Sequence, residues 1–166
     1  MKKVLLVFLI VLPSLSFAQE IKSNVVDPFS NERTIETDIV SLKQGATAGF
    51  GASYLSAGRS YFMNIIGYGN NSSLITEKDK VWLVLEDGRV IHFNSALEMS
   101  DGDDDNKNIY IRRYLIKLTD VEILKNKKLA IVRIVSPDKT IDVKVSNKNS
   151  KQFSKLSDLF LTEVSK

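Results

Sequence analysis

The segment Val81-Trp-Leu-Val-Leu-Glu-Asp-Gly-Arg-Val-Ile-His-Phe93 constrains this chain more than any other. Two runs rich in β-branched and aromatic residues flank Asp87-Gly88, and a β-hairpin is the short-range solution for such a pattern. With Asp87 and Gly88 central in a two-residue type I′ turn, Leu85 is expected opposite Val90 and Val84 opposite Ile91. Leu83 then meets His92, and Trp82 meets Phe93. Both faces of that hairpin are largely apolar, so it is expected at the centre of a sheet, covered on each side.

The rest of the chain supplies further strands. Thr34 to Leu42 is mostly β-branched or apolar, with Ile35, Thr37 and Ile39 on one face. Arg59 to Tyr68 alternates, and so does Ile109 to Leu118. Leu129–Val135 and Thr140–Val145 form a second hairpin around Ser136-Pro137-Asp138-Lys139, with one face of the second strand turned to water. Six of the eight glycines lie between Gly45 and Gly69, which marks a bend or a close approach of backbone there. Thr119-Asp-Val-Glu122 is a capping-box pattern and predicts a short helix. From Ser150 the period becomes helical, with Phe153, Leu156, Phe160 and Val164 in one stripe. No βαβ alternation and no fixed repeat occurs. The expected fold is mainly β (α+β): an antiparallel sheet or partly closed barrel with a C-terminal amphipathic helix, 150–164, packed on it.

Residues 1–18 read as a signal peptide. Lys2 and Lys3 precede an apolar run of nine residues, Val4 to Leu12; Pro13 breaks it, and Ser16-Phe17-Ala18 offers a cleavage site before Gln19. That run is less than half of the ~20 residues a spanning helix needs, so the mature chain is expected without a stable membrane span, in the periplasm or secreted. Residues 19–31 read as an extended N-terminal arm, and 32–166 as a single β-rich domain.

Asp27-Pro-Phe-Ser-Asn-Glu-Arg-Thr-Ile-Glu-Thr37, Leu118-Thr-Asp-Val-Glu122 and Leu129-Ala-Ile-Val-Arg-Ile134, together with the leader, resemble small uncharacterised exported proteins of Bacteroidota-type bacteria. The resemblance covers most of the mature chain and implies export. It brings no activity, catalytic residue or cofactor with it.

Composition removes several chemistries. Without cysteine there is no disulfide framework, thiolate metal site or cysteine nucleophile. His92 is the only imidazole, where zinc hydrolases use two or three, and no Gly-x-Ser-x-Gly occurs. His92 is expected as a packed sheet residue. Asp101, Asp103 and Asp105 match the first ligand positions of a calcium loop, but Asn106 stands where glycine is required and Arg112 where a bidentate Glu is required. A solvated loop is the default there, with weak calcium binding as the alternative. No catalytic residue, metal site or cofactor is assigned.

Charge is unevenly distributed. Residues 19–106 carry 7 basic and 14 acidic side chains, and residues 107–166 carry 14 basic and 6 acidic. Lys148, Lys151 and Lys155 lie at helical spacing and form the candidate binding stripe. The expected function is a non-catalytic binding module of the cell envelope, for an envelope protein or an anionic ligand. Its alternatives are a carboxylate-dependent hydrolase of envelope polysaccharide, drawing on Glu36, Asp38, Glu86, Asp87 and Glu98, and an inhibitor or escort of another exported protein. Nucleic acid is not expected as a partner, despite the basic-aromatic run Tyr110-Ile-Arg-Arg-Tyr114.

Overall fold

A computed structural model describes residues 20–45, 48–69, 79–94, 97–104, 107–137 and 140–166. The leader and its cleavage site, Asp105 and Asn106 of the acidic segment, and Asp138-Lys139 of the second hairpin lie outside the described residues. The strands are β1 (Ile21–Val26), β2 (Arg33–Thr37), β3 (Val40–Gln44), β4 (Ala48–Ala57), β5 (Ser60–Gly69), β6 (Lys80–Leu85), β7 (Val90–Phe93), β8 (Glu98–Asp104), β9 (Lys107–Leu115), β10 (Leu129–Val135) and β11 (Thr140–Lys144). The helices are α1 (Leu118–Asn126) and α2 (Asn147–Val164).

All strand pairs are antiparallel. One sheet runs β1-β2-β4-β5-β9-β8, with β3 also on β4; the other runs β11-β10-β6-β7. The fold is mainly β, and α2 packs against β2, β3, β4 and β10. There is no closed barrel.

Each sheet turns one apolar face to a shared core. Phe50, Ala52, Tyr54, Met63 and Ile65 come from β4 and β5; Val81, Leu83, Leu85, Ile91, Phe93, Val132 and Ile134 come from the smaller sheet. Val121 and Leu124 of α1, and Phe153, Leu156 and Phe160 of α2, close it. The α2 stripe is the expected one. The helix starts three residues earlier than its apolar period, because the Ser146 hydroxyl accepts the Asn149 N–H at 3.2 Å and so caps it. The Tyr54 ring stacks on Phe153 and Phe160, with centroids 5.7 and 4.9 Å away.

The glycine-rich strand shows close approach on its other face. A Cβ on Gly49 would stand 2.1 Å from the Tyr68 hydroxyl, because the cross-strand tyrosine lies over it. A Cβ on Gly51 would stand 2.6 Å from Cγ2 of Ile39. Asp38-Ile39 separates β2 from β3, so Ile39 leaves the face that Ile35 and Thr37 share.

Four expectations are corrected. The 81–93 hairpin has a three-residue loop, not a two-residue one. Gly88 N–H donates to the Leu85 carbonyl (3.0 Å), Leu85 N–H donates to the Arg89 carbonyl (2.9 Å), and only Gly88 has positive φ, at 86°. This is a turn closed by a glycine bulge. Asp87 escapes the left-handed region and uses its carboxylate to accept the Arg89 N–H and guanidinium. Pairing therefore shifts by one residue: Leu83 meets Ile91, Trp82 meets His92, and Val84 meets Val90.

That shift gathers the apolar residues on one face, so the hairpin is covered on one side only and β7 is the sheet edge. The capping box is not used either. Helix α1 begins at Leu118 with Lys117 at the cap position and no side-chain cap, which places Thr119 inside the first turn. Residues 101–104 are strand, paired with 107–110, where a solvated loop was expected. Residues 21–26 of the expected arm are extended, as read, and pair with β2 at the edge of the larger sheet.

Candidate functional site: a groove between an edge strand and a helix

A concavity lies along the edge of β7, which pairs only with β6 among the described residues. It has a volume of about 400 Å³, and Ile91 and Phe93 form one wall, Leu115 and Ile116 its floor, Asp120 and Ile123 of α1 the other wall. Arg89 and Lys117 also border it.

Main-chain geometry makes this edge receptive. Leu85 and Arg89 exchange a ladder bond, so by antiparallel alternation Leu83–Ile91 and Val81–Phe93 are the bonded pairs of β6 and β7. Val90 and His92 occupy the intervening positions, which turns their N–H and C=O groups away from β6 toward the open edge. The two side chains project to the outer face of the sheet. The His92 ring packs edge-on to Trp82 with centroids 4.9 Å apart. The only imidazole is thus exposed on the outer face, edge-on to Trp82 and not opposite Leu83.

The hairpin tip is anchored where the groove needs it. Glu86 N–H donates to the Lys128 carbonyl at 2.9 Å, and Asp87 bonds Arg89 and lies 3.6 Å from Lys127. The Arg89 guanidinium holds the Asp87 carboxyl below its usual range. At the opposite end, the exposed Lys117 stands at the start of α1, whose first turn also carries Asp120.

Lys148, Lys151 and Lys155 are all exposed on α2, as their spacing predicts, and none makes an ion pair among the described residues. No acidic residue occupies the first turn of α2. The stripe does not line the groove beside His92. The two charge-biased halves are partly stitched together through Arg33–Glu163, Lys127–Asp87 and Lys128–Glu86.

Of the candidate carboxylates, the Glu98 side chain lies outside the described residues, and three of the others are held in ion pairs at separate places. Glu36 pairs with Lys22 on the β1–β2 hairpin, whereas Glu86 and Asp87 are tied to Lys128, Arg89 and Lys127 at the β6–β7 tip. Among the described residues no three His, Cys, Asp or Glu side chains converge. Arg112 is buried, and Arg113 donates to the Asn64 side chain at 3.0 Å and lies over Phe62. The basic-aromatic run is therefore built into the sheet. No helix among the described residues is long and apolar enough to cross a membrane.

The edge-strand groove was missed by sequence reasoning, because strand order and the one-residue register shift are tertiary outcomes. Comparison of the chain with protein-family models, with curated proteins and with solved structures finds no match.

Proposed function

We propose that the protein is an exported, non-catalytic binding module of the cell envelope that takes up an extended polypeptide segment of a partner. The observation that carries this is the β7 edge set against the α1 wall. Outward main-chain groups of Val90 and His92 supply directional hydrogen bonds to an incoming strand, and the apolar floor takes alternate side chains. An inhibitor or escort would use the same mode, since capture of a strand is what either requires. Glu36, Glu86 and Asp87, each engaged in an ion pair, lend nothing to a hydrolase.

Proline at position 92 tests the proposal. The His92 N–H faces the edge, so its loss removes a docking donor and no ladder bond. A phage-displayed peptide library panned against the purified protein is expected to enrich sequences whose affinity for His92→Pro is at least about tenfold weaker. Enrichment of peptides indifferent to His92→Pro, or no enrichment, would overturn it.

A further inference from the structure

Six of the seven exposed large apolar side chains among the described residues fall into two patches. Val90, Leu97 and Leu115 lie in or next to the β7–α1 groove; Val25, Val26 and Phe29 lie at the tip of the β1–β2 hairpin. The second patch is convex. Phe29 is 96% exposed, yet the turn that presents it is tightly organised. The Asp27 carboxylate accepts the N–H groups of Phe29 and Ser30 at 2.7 and 2.9 Å. Asp27 N–H donates to the Glu32 carbonyl, Asn31 N–H donates to the Asp27 carbonyl, and Asn31 takes a left-handed φ of 57°. A loop that commits this many bonds to holding a phenyl ring in water presents that ring as a ligand.

The two patches are complementary in shape and charge. One is a protruding ring with Val25 and Val26 behind it and Asp27 and Glu32 in the same turn. The other is an apolar groove, with room for more than one side chain, bordered by the two cations Arg89 and Lys117 against the single carboxylate of Asp120. Three strands, β2, β4 and β5, separate β1 from β9 in the sheet. The tip is thus roughly 19 Å sideways from the β9 residues that line the groove, at about 4.8 Å per strand. It cannot turn back into its own groove.

We propose that the occupant of the groove is the β1–β2 hairpin tip of a second copy, with Phe29 seated against Leu115 and Ile123, and Asp27 and Glu32 facing Lys117 and Arg89. The proposal rests on the groove being a polypeptide-binding site. The contact is heterologous: each copy offers a tip to one neighbour and a groove to another, so association grows head to tail. An anionic membrane fits the tip poorly, because Asp27 and Glu32 share the turn with the ring and the ordered turn keeps Asp27 ionised. Held by the N–H groups of Ser30 and Phe29, its carboxyl lies below the usual range.

Sedimentation velocity on the purified protein tests this with two surface variants, Phe29→Ser for the tip and Leu115→Glu for the groove. Both positions are exposed, and circular dichroism checks that both variants fold. The unaltered protein is expected to at least double its average mass between about 10 and about 500 µM, the range for a small transient interface. Each variant alone stays monomeric. An equimolar mixture forms a 1:1 pair and nothing larger, since one intact tip meets one intact groove. A monomeric unaltered protein at the highest concentration, self-association of Phe29→Ser, or failure of the two variants to pair would overturn the proposal. If pairing fails while library peptides still bind in a manner sensitive to His92→Pro, the second copy is the wrong occupant and the groove reading stands. If both fail, the groove reading falls with it.

Discussion

The hydrogen bond between Tyr54 and Ser157 carries a quantitative test of how α2 is held. Both side chains are fully buried, and their oxygens are 2.9 Å apart. The Ser157 hydroxyl donates to the Phe153 carbonyl at 3.0 Å, so its single proton is committed and Tyr54 must be the donor. The two partners are therefore unequal. Removing the phenol with Tyr54→Phe leaves Ser157 donating as before, and costs about 0.5–1.5 kcal/mol, the net worth of one hydrogen bond. Ser157→Ala leaves a buried O–H with no acceptor and costs about 1–3 kcal/mol. In the double variant no donor is stranded, so adding Ser157→Ala to Tyr54→Phe costs almost nothing. Urea unfolding of the four proteins measures this cycle. At an m-value of roughly 1–3 kcal/mol per molar, a 2 kcal/mol loss moves the midpoint by about 1 M. Equal single costs that add in the double variant would refute the assignment of donor and acceptor.

Other outcomes follow from the same structure. Burial raises the phenol pKa of Tyr54 and Tyr114 above the ordinary value of 10. The folded state then keeps protons that the unfolded chain releases. The stability they contribute is intact below pH 10 and lost above it, so Tyr54→Phe should flatten the alkaline limb of a stability–pH curve. Gly88→Ala meets no atom within 4 Å but must hold φ near 86°, and should cost about 1–2 kcal/mol by the left-handed penalty alone. Gly49→Ala should cost more in the same unfolding assay, because its Cβ meets the Lys43 carbonyl at 2.7 Å as well as the Tyr68 ring. Replacing Lys148, Lys151 and Lys155 with Glu should raise the thermal midpoint slightly, through position 148 in the first turn, where an acidic side chain suits a helix N-terminus. The same variant should lose any heparin retention; unchanged retention would remove the stripe as an anion site.

Much of the fold is legible in local pattern. Alternation marks the strands, and the Phe153-Leu156-Phe160 stripe marks the helix that docks. Both signals report periodicity, a property of the chain alone. The turn at Asp87-Gly88 is legible as a turn but not as a type. Whether Asp87 enters the left-handed region depends on competing partners, and here Arg89 and the Lys128 carbonyl supply the alternative. That choice moves the register by one residue, which decides what His92 faces. The unused capping box at Thr119 has a similar origin, because the tertiary path of the chain starts α1 two residues before the pattern would.

The sequence by itself determined the class of chain: β-rich, cysteine-free, with one imidazole and an amphipathic C-terminal helix. Only tertiary structure decided that β7 is an edge, that α1 stands beside it, and that Phe29 is held out in water. Periodicity tells each residue which face it takes. It says nothing about which strand lies beside which, since strand pairing joins residues far apart in the chain and any apolar face can cover any other. The groove and the tip are both products of that pairing.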